Sequence, residues 1–291
     1  MPKTALVLNG CGAKGAFQLM AEKYARAKKG YTWDIIAGVS VGALNGVLLA
    51  MGKHERLEQI WRELTPARVF GRKPGFWTYS KLLFGAKSIY SRGPLWRLID
   101  REIDPDEVQI PIRIYSVSLA SGLSRCFSPD DPHFKQAVLA STAIPIIWPP
   151  VNIGPGLMCM VDGAVRNISP FGDVLDFEPD ELIIIDCSPA EPPVLPCPAK
   201  NVLEIGRRSL ELAAHEIFLT DCTALLRINS MVKEAAGHGV TLHNEKGKPF
   251  KYYRAVVIAP DEPLDDALDF SPRAIARSME AGWERAKQVL G

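Results

Sequence analysis

Short apolar runs bounded by glycine, proline or charge recur along the chain and alternate with stretches of helical period. Ala5–Asn9 is apolar without alternation, which predicts a strand buried on both faces. A glycine-rich turn, Gly10–Gly15, follows. Ala16–Lys29, rich in Ala, Lys and Glu and stopped by Gly30, predicts a helix. Trp33–Val39 repeats the apolar run, and Val41–Met51 predicts a second helix ending at Gly52. Strand–turn–helix, twice in succession, is how a parallel α/β layer begins.

Further along, Ile112–Ser118 and Leu123–Phe127 flank the turn Ser121-Gly122 and predict a hairpin. Phe134–Thr142 predicts a short helix, and Leu157–Val161 a strand running into the turn dipeptide Asp162-Gly163. Glu181–Asp186 is the cleanest central strand, followed by a loop rich in proline (Pro189, Pro192, Pro193, Pro196, Pro198). Asn201–Ala236 predicts a long helix and Tyr252–Ala259 a strand. Ser271–Leu290 predicts a final helix with Ser271 as N-cap and Pro272 in its first turn. No repeat and no linker divides the chain, so residues 1–291 are expected to form one domain.

The segment at about 53–110 differs. Eight aromatic residues lie between Trp61 and Trp96 (Trp61, Phe70, Phe76, Trp77, Tyr79, Phe84, Tyr90, Trp96). Basic residues, among them Arg62, Arg68, Arg72, Lys73, Lys81, Lys87, Arg92 and Arg97, interleave them. Helices and loops packed over one end of the sheet are expected. The segment suits an ordinary core with solvated cations, a contact with a membrane surface, or a cover over a substrate channel.

Composition narrows the function. The 291 residues carry a net charge of +1, with 47% hydrophobic and 23% charged residues. That is the profile of a globular protein able to offset its ordering entropy, and it excludes a disordered chain. No basic block suits nucleic acid. Six cysteines (Cys11, Cys126, Cys159, Cys187, Cys197, Cys222) form no CxxC pair. A disulfide framework and a cysteine metal site are therefore not expected, and a reducing, cytoplasmic setting is. No signal peptide is expected, because the N-terminal apolar run is too short. Ile35–Gly52 carries no charge and holds glycines at a four-residue spacing (Gly38, Gly42, Gly46), a pattern also found in packed membrane helices. It reads better as a buried strand running into a buried helix.

Three constellations carry chemistry. Gly10-Cys11-Gly12-Ala13-Lys14-Gly15 sits between a strand and a helix, where backbone N–H groups suit an anion. As a literal GxGxxG it also fits a dinucleotide fingerprint, but the acidic partner expected about 20 residues on is misplaced: Asp34 begins its strand instead of ending it. Gly38-Val39-Ser40-Val41-Gly42 is a GxSxG between strand and helix, the pattern of a nucleophile elbow. A serine hydroxyl needs a base. His54, His133, His215, His238 and His243 all stand outside strand-end turns, whereas Asp162-Gly163-Ala164 ends a strand.

The three in this order resemble the patatin-like phospholipases. Asn45, Ala140-Ser141-Thr142-Ala143-Ile144-Pro145 and Trp148-Pro149-Pro150-Val151 add to the resemblance, which covers roughly residues 4–190. It implies a three-layer α/β/α fold with a mostly parallel central sheet, and hydrolysis of phospholipid or other acyl-lipid esters without metal or cofactor. It implies Ser40 as nucleophile and Asp162 as general base. Cys11, Gly12 and Ala13 would supply an oxyanion hole, framed by the motif residues Gly10, Gly15, Gly38, Gly42, Gly163 and Ala164. Two departures stand out: Cys11 replaces the family's usual glycine, and Lys14 its usual arginine. Lys14 keeps a charge for an anion but loses the bidentate fork. An aspartate titrating near 3.9 is a poor base at neutral pH, so the resemblance also implies a desolvated site. A nucleotide-binding module using Gly10–Gly15 and a catalytically weak lipid-binding homologue remain as alternatives.

Overall fold

The computed structural model of the chain describes residues 2–71, 85–191, 194 and 202–291. Phe76, Trp77, Tyr79, Phe84, Arg72, Lys73 and Lys81 of the aromatic-basic segment lie outside the described residues, as do Cys197 and most of the proline-rich loop.

The strands are β1 (Thr4–Leu8), β2 (Ile35–Val39), β3 (Ile112–Ser118), β4 (Ser124–Phe127), β5 (Met160–Asp162), β6 (Glu181–Ile185) and β7 (Arg254–Ile258). They form one seven-stranded sheet in the order β4-β3-β2-β1-β6-β7, with β5 also paired to β3. β1, β2, β3, β6 and β7 run parallel, and β4 and β5 run antiparallel to β3. β1, β2 and β6 are buried along their whole length, which explains the apolar run that fills β2 and follows Thr4 in β1 and Glu181 in β6.

Helices cover both faces. They are α1 (Gly15–Lys29), α2 (Val41–Ala50), α3 (His54–Glu63), α4 (Pro66–Phe70), α5 (Gly93–Glu102), α6 (Phe134–Ser141), α7 (Phe171–Leu175), α8 (Val202–Gly237) and α9 (Pro272–Leu290). Alternation along the strands sorts the core into two. Leu6, Leu8, Ile36, Ile183 and Ile185 face a layer that includes α1, α2, α6 and α9. Ala5, Val7, Ile35, Ala37, Leu182 and Ile184 face α7 and α8 through Phe171, Val174, Phe218 and Leu225. The result is the expected three-layer α/β/α arrangement around a mostly parallel sheet.

The segment expected over one end of the sheet extends the first helical layer instead. α3 packs on α1, α2 and α9. Leu57, Ile60 and Trp61 form a buried stripe on α3, so this amphipathic helix adds to the existing core. Phe70 stacks on Trp148 at 5.6 Å and meets Tyr90 at 4.5 Å, so Phe70 and Tyr90 pack, half-buried, against the core. The strand expected from Leu157 starts at Met160, because Leu157 closes a tight bridge with Gly154. No helix among the described residues is long and apolar enough to cross a membrane, and Ile35–Gly52 is β2 followed by α2.

α9 returns beneath α1 and locks the start of the chain. Tyr24 and Trp283 meet edge to face with centroids 5.1 Å apart. Gly282 lies against the Phe17 carbonyl, where a Cβ would collide with backbone. Alanine at a helix-interior glycine ordinarily gains about 1 kcal/mol, but a backbone carbonyl cannot swing aside as a side chain can. Gly282→Ala is therefore expected to cost about 1–2 kcal/mol net, read as a lower urea midpoint with an unchanged m-value.

Candidate active site

Ser40 stands where β2 gives way to α2, with φ 58° and ψ −129°. A non-glycine residue holds such a conformation only where its surroundings impose it, at about 1–3 kcal/mol. The surroundings here are backbone. A Cβ on Gly38 would meet the Gly42 carbonyl, and one on Gly42 the Leu8 carbonyl. Strand and helix touch at this turn, which accounts for both motif glycines. The Ser40 N–H donates to Ser141 Oγ at 2.9 Å.

Asp162 arrives from the other direction. β3 pairs with β4 along one edge. Its other edge pairs with β2 over Ile112–Tyr115, then with β5 over Ser116–Ser118. β5 thus takes the place that β2 vacates at the elbow, and Asp162 opposite Ser116 follows directly on Val39 opposite Tyr115. The Asp162 N–H donates to the Ala143 carbonyl at 3.1 Å. Residues 141–143 at the end of α6 therefore hold the backbone of both Ser40 and Asp162. Gly163 packs against the Tyr115 carbonyl, where a Cβ would approach to 2.6 Å.

Asp162 is 2% exposed. Its Oδ1 accepts the Ala164 N–H at 2.9 Å, while its Oδ2 is buried without a hydrogen-bond partner. Burial pushes the carboxyl up to about 7 from the ordinary 3.8, with the Ser40 hydroxyl and the Ala164 N–H opposing the rise. Ser40 is thus near enough to favour the carboxylate, but no full hydrogen bond to Oδ2 is closed. Such looseness is common in unliganded sites.

The glycine-rich loop faces these two residues. A Cβ on Gly10 would lie 3.0 Å from that of Ser40 and 3.2 Å from that of Ala164. Gly10, Cys11, Gly12 and Lys14 line a cavity of about 380 Å³ together with Ser40, Asp162 and Ala164. Among the described residues the Cys11 and Gly12 N–H groups donate to no acceptor. Ala13 departs from the expectation. Its N–H donates to the Ala267 carbonyl at 2.7 Å and its side chain is buried, so it is not available as an oxyanion donor. The loop 260–270 before α9 causes this by closing over the turn. The same Ala267 carbonyl occupies the space that a Cβ on Gly12, at φ +58°, would need.

A buried polar chain anchors the loop. Trp61 Nε1 donates to Asn45 Oδ1 at 2.9 Å, and Asn45 Nδ2 donates to the Gly15 carbonyl at 3.0 Å and to Gln18 Oε1 at 3.1 Å. Gln18 Nε2 donates to the Asn9 carbonyl at 2.7 Å. Asn9 Nδ2 donates to Asp186 Oδ1 at 3.0 Å, and Ser169 Oγ to Asn9 Oδ1 at 2.8 Å. Gln18, Asn9, Asp186, Ser169 and the acceptor role of Ser141 had no motif to mark them. Asp34 accepts the Thr4 N–H at 2.7 Å, at the far end of β1 from the glycine loop, which leaves a dinucleotide without its ribose contact. Among the histidines, His215 lines the cavity, with Nε2 3.3 Å from the Ala190 carbonyl.

A second cavity of about 80 Å³ also opens on Ser40 and Gly12. Its walls are almost wholly apolar and include Leu44, Leu48, Leu57, Leu98, Trp148 and Phe270.

Residues 6–175 match the family model for patatin-like phospholipase. None of the curated proteins compared matches the chain. Among solved structures, VipD from Legionella pneumophila is similar with a TM-score of 0.49 and 12% identity, over 99% of this chain and 66% of that one. The type III effector protein ExoU is similar with a TM-score of 0.42 and 15% identity, over 99% of this chain and 53% of that one. The chain therefore spans less than two thirds of the length of either protein.

Ser141→Ala removes the acceptor of a buried N–H while leaving the apolar packing nearly intact. An orphaned buried donor costs about 1–3 kcal/mol. Thermal or urea unfolding of this variant is expected to show a loss in that range; an unchanged midpoint would mean that the elbow does not depend on it.

Proposed function

The chain belongs to the patatin-like phospholipase family, and from that premise we propose that it is a serine acyl hydrolase acting on phospholipid or related acyl lipids. The observation that carries the reading is the buried pair at the elbow. Ser40 is held in a strained turn beside a carboxyl whose Oδ2 has no other partner and whose burial pushes it up to about 7. A carboxylate accepts a hydroxyl proton most readily when its pKa lies near the working pH.

In the proposed reaction Ser40 Oγ attacks the ester carbonyl as its proton passes to Asp162 Oδ2. The developing oxyanion takes the N–H groups of Cys11 and Gly12. One such donor is worth about 10²–10³ in rate in other hydrolases. Collapse expels the alcohol, which receives the proton from Asp162. Water then attacks the acyl-Ser40 ester with Asp162 again as base, releasing the fatty acid. Positioning of the ester supports the same reading. The apolar cavity beside Leu44 and Leu48 suits an acyl chain, and the larger one suits the remainder of the lipid, with Ser40 where the two meet. Lys14 on the wall of the larger cavity is placed to attract an anionic head group.

Ser40→Ala is expected to lower fatty-acid release from phospholipid vesicles by at least about 10³-fold and to abolish labelling by a fluorophosphonate probe. Fatty-acid release that persists unchanged in that variant would overturn the assignment.

The pH dependence follows from Asp162. Its protonated form cannot take the Ser40 proton, so activity should rise with pH and half-saturate near 7. A kcat/KM profile already flat from pH 5 upward would show a base that titrates elsewhere.

A further inference from the structure

Cys11 and Cys187 were separated by 176 residues in sequence, yet their sulfurs lie 2.6 Å apart. Adjacent strands produce this contact. Leu8 of β1 pairs with Ile185 of β6, and each chain leaves its strand toward the same end of the sheet. Cys187 is fully buried, with the Lys14 carbonyl 3.4 Å from its sulfur. Cys11 is only half buried and lines the 380 Å³ cavity. One thiol thus meets solvent through the cavity and the other waits behind it.

We propose that Cys11 and Cys187 form a redox-active pair, which a small-molecule disulfide oxidises to a bridge that ties the glycine loop to the end of β6. Cys11 reacts first, because it is the accessible sulfur. Its thiolate attacks one sulfur of RS–SR after losing its proton to solvent; a mixed disulfide Cys11–S–SR forms, and RS⁻ leaves and takes up a proton. Cys187 gives up its proton to the departing RS sulfur as its own sulfur attacks Cys11 Sγ, and the second thiol leaves as RSH. Two protein thiols and one RS–SR give one bridge and two RSH. Burial, and then the neighbouring Cys11 sulfur, push the Cys187 thiol well up, so it rests protonated and leaves the first attack to Cys11. In a reducing compartment the pair rests as thiols.

The bridge acts on the loop that carries the proposed oxyanion donors, and this consequence rests on the acyl-hydrolase reading; the bridge itself does not. Closing the sulfurs to about 2.05 Å draws Cys11 toward β6. Its N–H moves with it, and a proposed oxyanion donor shifted by a fraction of the ~1 Å that can cost about 10²-fold loses part of its effect. Oxidation is therefore expected to lower turnover, on the order of tenfold.

The test treats the reduced full chain with oxidised glutathione. Intact mass should fall by about 2 Da, and peptide mapping should find Cys11 joined to Cys187. In Cys187→Ser the reaction should stop at a glutathione adduct of about 305 Da on Cys11. Fatty-acid release should drop in the bridged protein and recover with dithiothreitol. Thiols that stay unlinked, or a bridge mapped to other cysteines, overturn the pair. A Cys11–Cys187 bridge with unchanged turnover overturns its control of the loop. A bridge in a protein whose reduced form releases no fatty acid leaves the pair standing and overturns the hydrolase reading instead.

Discussion

One register relation organises the site: β3 is longer than the strand beside it. β2 covers its edge as far as Tyr115 and must then leave, because Ser40 turns away into α2. The vacated edge of β3 still presents backbone groups that need partners. β5 supplies them from the opposite direction, and its last residue is Asp162. The elbow and the carboxylate are therefore neighbours for a backbone reason, before any attraction between the side chains. Gly38 and Gly42 let α2 approach closely enough to leave this room, and Gly163 lets the chain turn off β5 against Tyr115.

The same arrangement sets the electrostatics. A carboxyl enclosed by β3, β5 and the elbow loses its water, and that loss outweighs the hydrogen bonds that Ser40 and Ala164 offer the carboxylate. Because its native pKa is raised, the native state holds a proton that the unfolded chain releases near pH 4. Asp162 thus contributes stability that is complete below about pH 4 and is lost as the pH rises through about 7. The protein is weakest, with respect to this group, over the range in which the proposed base is charged. The proposed use of Asp162 as a base at neutral pH carries that opposition with it, since both effects come from one buried carboxylate.

Much of this was legible from local pattern. The buried strands announced themselves by unbroken apolarity, and Gly38, Ser40, Gly42 and Asp162-Gly163 by residue types that strand-end turns require. What stayed hidden depends on pairing between distant segments. Nothing in Met160–Asp162 says that the strand runs antiparallel or which edge it joins. Cys11 and Cys187 show no spacing rule, because the sheet order alone brings β1 beside β6. Ala13 reads as a loop amide equivalent to its neighbours until the loop before α9 covers it with Ala267. α3 illustrates the same limit: Trp61 stood out among the aromatics of its segment, but the surface that it, Leu57 and Ile60 pack against was not readable.

The Ala13–Ala267 contact bears on how the loop functions. Oxyanion donors are effective when their orientation is fixed before charge develops, because no reorganisation is then needed. A glycine-rich turn is poorly suited to that by itself, since glycine backbone is freer than any other. Here the turn is restrained at three points: Gln18 holds the Asn9 carbonyl, Asn45 holds the Gly15 carbonyl, and Ala267 takes the Ala13 N–H. The third restraint engages the Ala13 N–H and leaves those of Cys11 and Gly12 for the proposed oxyanion contact. Lys14, lacking the planar fork of an arginine, is less able to brace the loop through its side chain. That makes the backbone and amide restraints, and the sulfur contact behind Cys11, the features on which the loop's shape depends.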